Sequence, residues 1–198
     1  MATSELKNIF LSASIPIQER HQKYINTADI IAIRDAVIAL VTTVIPDHRL
    51  IWGGHPSITP LINYVMGKLD LDIQEHVKLY QSKFFEHLFP EDNNKFKNIV
   101  FTENLGKPEE SVELMRNIMF SENDFAAAVF IGGMEGIEDE YKIFKDYHPD
   151  ALLLPIASTG AATKIVYEDF LQTHLKDERL LNDYAYTMLF KELLLNKI

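Results

Sequence analysis

The feature that most constrains this chain is a repeated unit, in which a short apolar run stops at small or turn-forming residues and an amphipathic stretch follows. Asn8 to Ala13 (NIFLSA) runs into Ser14 and Pro16, and Arg49 to Trp52 (RLIW) stops at Gly53-Gly54. Asp124 to Ile131 (DFAAAVFI) stops at Gly132-Gly133, and Ala151 to Pro155 (ALLLP) leads into Ser158-Thr159-Gly160. Short apolar runs bounded by turn residues read as buried strands, and His76 to Gln81 and Asn98 to Thr102 add two more candidates. Between them, Thr27 to Val44 carries Ile30, Ile33, Val37, Leu40, Val41 and Val44 on a helical stripe that Thr27 could cap. Pro56 suits the first turn of a helix running to Met66, while Glu109 to Phe120 and Glu138 to Tyr147 read as helices and Phe89 to Lys97 as a polar loop. Thr163 to Lys176 and Glu178 to Asn196 are expected as two closing helices.

Repeated strand–turn–helix units argue for an α/β layered fold with a mainly parallel sheet, because parallel neighbours need a crossover helix. The most apolar run, Asp124 to Ile131, is expected at the sheet's centre, where both faces are covered. A length of 198 residues suits one core, so residues 1–198 are read as a single domain.

Composition then removes whole classes of function. Asp and Glu number 29 against 19 Lys and Arg, and the net charge of −10 argues against nucleic acid and anionic membranes as partners. The absence of cysteine removes disulfides, thiolate nucleophiles and sulfur-ligated metals. Met1 to Lys7 is polar and mixed in charge, and no window approaches the length of a membrane span, so a cytoplasmic protein is expected. There is no GxGxxG, no GxxxxGK followed by Ser or Thr, and no HExxH among the 7 scattered histidines, so neither a cofactor nor a metal is expected.

In a parallel sheet, ligands bind beyond the carboxyl ends of the strands. Four loops are expected there: Ser12 to Ile17, Gly53 to Pro60 (GGHPSITP), Gly132 to Glu140 (GGMEGIEDE) and Ser158 to Ala162 (STGAA). Their glycines allow close backbone approach, and helix N-termini after them present N–H groups suited to a phosphate. His55, Ser57, Thr59, Ser158 and Thr159 add uncharged donors suited to a ribose, phosphate or base edge, and Ser12 and Ser14 join the ligand-binding set from the first loop. Gly53, Gly54, Gly132, Gly133, Met134, Glu135, Gly136 and Gly160 complete the candidate ligand-binding set. Glu135, Glu138, Asp139 and Glu140 crowd one turn and helix start, where acids complement the helix dipole or could stand beside a ribose.

The blocks IFLSASIP (Ile9 to Pro16), LIWGGHPSITPLI (Leu50 to Ile62), FIGGMEGIEDEY (Phe130 to Tyr141) and LPIASTGAA (Leu154 to Ala162) together resemble the SLOG superfamily. That Rossmann-like group includes the LOG phosphoribohydrolases and the DprA-type nucleotide-fold proteins, and the chain looks most like stand-alone SLOG domains of bacterial conflict systems. The resemblance implies a LOG-like three-layer sandwich, a nucleotide-type ligand, a homo-oligomer such as a dimer, and a role in antiviral defence. LOG enzymes carry an Arg upstream of PGGxGTxxE, and that Arg and Glu are their catalytic pair. Arg116 stands sixteen residues before Gly132, at the family's spacing. Glu140 corresponds to the motif acid if one residue is inserted, and Asp139 occupies the ungapped position. On the residues alone, Arg116 could equally pair with Glu109 or Glu113 on its own helix. Ile131 replaces the motif Pro and Ile137 falls near the phosphate-binding Thr, so the phosphate clamp departs from the LOG pattern. Three functions follow from this reading: N-glycosidic hydrolysis of a nucleotide or NAD, sensing of an ADP-ribose-type ligand without turnover, or an interaction scaffold.

Overall fold

The computed structural model describes residues 6–17, 22–69 and 74–198. Met1 to Glu5, part of the segment read as lacking a leader, lie outside them. Six strands form one all-parallel sheet: β1 (Asn8–Ser14), β2 (Arg49–Gly53), β3 (Val77–Ser82), β4 (Ile99–Thr102), β5 (Phe125–Gly132) and β6 (Leu152–Ile156). The spatial order is β4-β3-β2-β1-β5-β6. Winding therefore runs outward from β1 to β4, returns to the other side of β1 with β5, and continues to β6. The fold is α/β and Rossmann-like, and the expected strands are all present to within a residue or two. β5 is an interior strand, but β2 and β1 hold the centre, because the return crossing leaves only β6 beyond β5.

Among the described residues, eight α-helical segments accompany the sheet: α1 (Gln22–Ile25), α2 (Ile30–Val44), α3 (Thr59–Leu69), α4 (Pro108–Ser121), α5 (Glu135–Tyr147), α6 (Ala161–Ile165), α7 (Arg179–Asn182) and α8 (Tyr186–Phe190). Helix α2 packs on α3 and α8, and α4 packs on α5, which gives a layer on each face of the sheet. Under the α4–α5 layer, the Phe10 ring meets those of Phe120, Phe125, Phe130 and Phe144 at centroid distances of 4.9 to 6.2 Å. Such aromatic pairs add to the apolar burial that drives the layers together.

Several boundaries differ from the sequence expectations. Helix α2 starts at Ile30 because the Asp29 carboxylate accepts the Ala32 N–H at 2.9 Å, and Thr27 instead accepts the Ala161 N–H at 2.9 Å. Pro56 lies in a turn in which the His55 carbonyl accepts the Ile58 and Thr59 N–H groups, so α3 begins at Thr59. The segment after β3 is a pair of 3₁₀ turns, Lys83–Leu88 and Glu91–Lys95, in place of an open loop.

Both closing helices are broken. Helix α6 widens into a π turn over Val166–Phe170 and ends there, with the Phe170 carbonyl accepting the Tyr141 hydroxyl at 3.3 Å. Between α7 and α8, the Asp183 carboxylate accepts the Ala185 N–H at 2.7 Å, a local turn that competes with helix continuation.

The β6–α6 junction turns on Gly160, whose φ is +71°. A Cβ there would lie 1.8 Å from the Thr27 carbonyl oxygen, a backbone atom with little room to yield. Gly160→Ala is therefore expected to destabilise the fold by about 2 kcal/mol or more in urea denaturation. A loss below about 0.5 kcal/mol would show that the junction yields freely.

Candidate functional site

Strands β1 and β5 are neighbours, yet β1 continues into the α2 side of the sheet and β5 into α5 on the other. At such a switch point the two connections diverge and leave a crevice beyond the carboxyl ends of the strands. Side chains alternate along β1, so Ser12 projects on the same face as Phe10, towards α5. The Ser12 hydroxyl donates to Glu140 Oε2, and Glu140 Oε1 accepts from Arg116 Nε at 3.0 Å. Arg116 Nη2 also donates to the Gly136 carbonyl at 3.1 Å. Glycine at 136 permits this approach, since a Cβ there would lie 3.1 Å from Nη2.

The guanidinium thus crosses from α4 to α5 and makes no ion pair with Glu109 or Glu113. The Arg116 and Glu140 side chains are only 13% and 16% exposed, which sets this bridge apart from the surface pairs. Removal of either partner would leave a poorly solvated charge on the other. The assembled group is a carboxylate held by a guanidinium and a hydroxyl, facing the crevice.

The crevice has a volume of about 780 Å³, within the usual range for small-molecule sites. Ser12, Ser14, Gly53, Gly54 and His55 line it from the first two strands, and Arg116 lines it from α4. Met134, Glu135, Gly136, Asp139 and Glu140 line it from the start of α5. Asp139 is exposed at the mouth, whereas Glu140 is the acid bound to Arg116 and Ser12. Glu138 turns away: its carboxylate accepts the Tyr24 hydroxyl at 2.6 Å and Lys23 Nζ at 3.2 Å. Burial, followed by this bond, pushes the Tyr24 phenol above its ordinary pKa.

Six of the expected ligand-binding residues lie outside the crevice lining: Ser57, Gly132, Gly133, Ser158, Thr159 and Gly160. Ser57 Oγ contacts His55 Nδ1 at 2.8 Å and so orients the imidazole from behind. The Gly132 N–H is shared by Thr159 Oγ1 at 2.9 Å and Thr163 Oγ1 at 3.1 Å, and the Gly133 N–H goes to the Ser14 carbonyl at 2.8 Å. The Gly54 N–H goes to the Tyr80 carbonyl at 2.9 Å. These glycine donors, expected to face a phosphate, are committed inside the protein. Ser158 is buried against Tyr186, Oγ to hydroxyl 3.2 Å, and burial pushes that phenol up to about 12. The loop after β6 is a buttress behind the glycine pair, and three of the four loops open on the crevice.

Sequence reasoning missed one wall of the site. Gln81 and Ser82 at the end of β3, Phe85, Phe89 and Pro90 from the 3₁₀ segment, and Met115 from α4 all line the crevice. The signal was the position: this segment follows a strand at the same sheet edge, and Phe84-Phe85 and Phe89-Pro90 supply apolar surface there. Among the described residues, no group of three or more His, Asp and Glu side chains is placed to hold a metal ion. The same residues include no helix long and apolar enough to cross a membrane.

A double-mutant cycle of Arg116→Met and Glu140→Gln, read by urea denaturation, is expected to give a coupling of about 1 to 2 kcal/mol, above the range of exposed pairs. A coupling below about 0.3 kcal/mol would show that solvent screens the pair.

The SLOG cluster3 family matches residues 23–194, an interval that contains the Arg116–Glu140 bridge and most of the crevice. No curated protein matches the chain. Among solved structures, the X-ray structure of TM1055, a structural genomics target, superposes with a TM-score of 0.61 at 12% identity. The match covers 98% of this chain and 100% of that one, so the two share the fold across their whole length. With the matched interval spanning most of its 198 residues, the chain belongs to the SLOG cluster3 family.

Proposed function

We propose that the crevice binds a nucleotide or nucleotide-derived ligand, of the nucleoside monophosphate, NAD or ADP-ribose type, and cleaves its N-glycosidic bond. The observation that carries this reading is the largely buried Arg116–Glu140–Ser12 group facing the crevice at the switch point. A carboxylate oriented by two donors can lie beside C1′ of a ribose and stabilise the cationic character that develops there as the bond to the base breaks. Water adds to C1′, the bonding pair leaves with the base, and a proton from that water is passed on to the base. Arg116 and Ser12 hold the carboxylate in place, and Asp139 stands at the mouth as the alternative acid.

In this reading Glu140→Gln lowers release of free base from NAD or nucleoside monophosphates by about 100-fold or more, followed by chromatography, with ligand affinity changed far less. Full release by the variant would remove Glu140 from the chemistry and shift attention to Asp139.

A specific observation favours a second reading, sensing without turnover. The glycine N–H groups are already bonded, and Ile137, only 3% exposed, fills the space near the phosphate-binding Thr of the LOG pattern. Such a site would hold a ligand by ribose and head group and leave it intact, as suits a signal receptor in antiviral defence. Recovery of an unaltered ligand after long incubation with stoichiometric protein would favour this reading over hydrolysis.

We also propose a homo-oligomer. Ile30 and Ile31 on α2 and Tyr184 and Met188 around α8, which packs on α2, are 53% to 65% exposed, an apolar surface that a second copy could cover. Light scattering is expected to show a dimer that Ile31→Lys converts to monomer, and a monomeric parent protein would exclude it.

A further inference from the structure

Gln81 brings to the crevice a polar side chain that neither the bridge nor the fold employs. Gln81 is 4% exposed and lines the crevice at the end of β3. Among the described residues no hydrogen bond engages its amide, and the amide nitrogen and oxygen are not among the buried atoms left without a partner, so the amide opens on the crevice. Its neighbours on either side are accounted for: the Tyr80 hydroxyl contacts Glu122 and Asn123, and Ser82 Oγ accepts the Phe84 N–H.

Gly54 makes the seat for this amide. A Cβ at position 54 would lie 2.0 Å from Gln81 Nε2 and 2.6 Å from its amide carbon, so only glycine leaves the amide where it is. Four residues beyond Gln81, Phe85 brings an aromatic ring to the same crevice, and Phe89 and Pro90 extend that wall. Glu109 and Glu113 of α4 line the crevice as well, and Arg116 and Glu140 line it between α4 and α5.

We propose that Gln81 reads the planar head group of the ligand and sets its orientation, with the head group against Phe85 and Phe89 and the ribose at Glu140. An amide presents one acceptor and a donor side by side, so its complement is an edge with a donor beside an acceptor. Nucleobases with an exocyclic amino group carry such an edge, and so does the carboxamide of a nicotinamide-type group. A head group lacking the donor would shut water from the amide and leave it unpaired, which disfavours it strongly. Aromatic rings supply the apolar contact that such a flat group needs. The inference rests on the nucleotide reading above and adds to it a specificity-determining residue and a direction for the ligand in the crevice.

The test uses two matched pairs of ligands. AMP is compared with purine riboside 5′-monophosphate, which lacks the amino group, and nicotinamide mononucleotide with nicotinic acid mononucleotide, which has a carboxylate in place of the carboxamide. Ribose 5-phosphate serves as the ligand without a head group, and affinities are read by calorimetry. The parent protein is expected to prefer the amide-complementary member of one pair by about tenfold or more. Which pair responds distinguishes a nucleobase from a carboxamide. Gln81→Met is expected to abolish that preference while leaving ribose 5-phosphate affinity unchanged. Gly54→Ala, which displaces the amide without deleting it, is expected to do the same, and thermal melts confirm that each variant is folded.

Equal affinities within both pairs, or a preference that survives in both variants, would overturn the assignment while the nucleotide reading stands. If ribose 5-phosphate binds as tightly as the nucleotides, the assignment is also overturned, since no head group is read. Failure of all five ligands to bind would remove the nucleotide reading itself and the assignment with it.

Discussion

The pairing of β1 with β2 on one side and β5 on the other governs the rest of the molecule. Right-handed crossovers oblige the chain to wind one way from β1 to β4 and the other way from β5 to β6, and the two helix layers follow from that reversal. The reversal also leaves the crevice, because the connections that follow β1 and β5 go to opposite faces of the sheet. Ser12 from β1, Arg116 from α4 and Glu140 from α5 meet there although they are far apart in sequence. The glycine pair after β5 lets the chain leave the sheet at that point, with its N–H groups bonded to Ser14, Thr159 and Thr163.

Electrostatics within this frame are more local than the net charge suggests. The chain carries ten more acids than bases, and four acids fall between Glu135 and Glu140. In the folded protein they separate into distinct environments. Glu138 is tied to Tyr24 and Lys23, Glu140 to Arg116 and Ser12, and Asp139 is exposed at the crevice mouth. A run that reads as one acidic patch becomes one oriented carboxylate with acids of other roles around it. Helical geometry accounts for this, since consecutive residues point about 100° apart.

Much of the fold was legible because strand burial leaves a strong pattern. Runs such as Phe125 to Ile131 cannot be mistaken once glycine follows, and a parallel sheet is the arrangement that buries several such runs on both faces. The C-terminal segments were less legible. Their apolar content reads as two continuous helices, but the breaks at Phe170 and Asp183 come from a hydroxyl and a carboxylate that capture backbone groups, and apolar periodicity carries no trace of such bonds. Within the site, the Ser158-Thr159-Gly160 loop looked like ligand-binding chemistry by composition. Its hydroxyls in fact bond Tyr186 and Gly132 behind the crevice, while the aromatic wall after β3 carried no polar signature to mark it.

The sequence by itself determined the alternation of buried strands and amphipathic helices, the parallel sheet, and the loops at its carboxyl edge, because hydrophobic periodicity and turn chemistry are local. Tertiary structure decided which polar groups remain available at that edge. Whether an N–H of Gly133 or Gly54 faces a ligand or a neighbouring carbonyl depends on what strand register brings alongside it. Whether Arg116 pairs along its own helix or across to Glu140 depends on how α4 and α5 pack together. Those choices arise from contacts between distant segments, and no pattern within one segment encodes them.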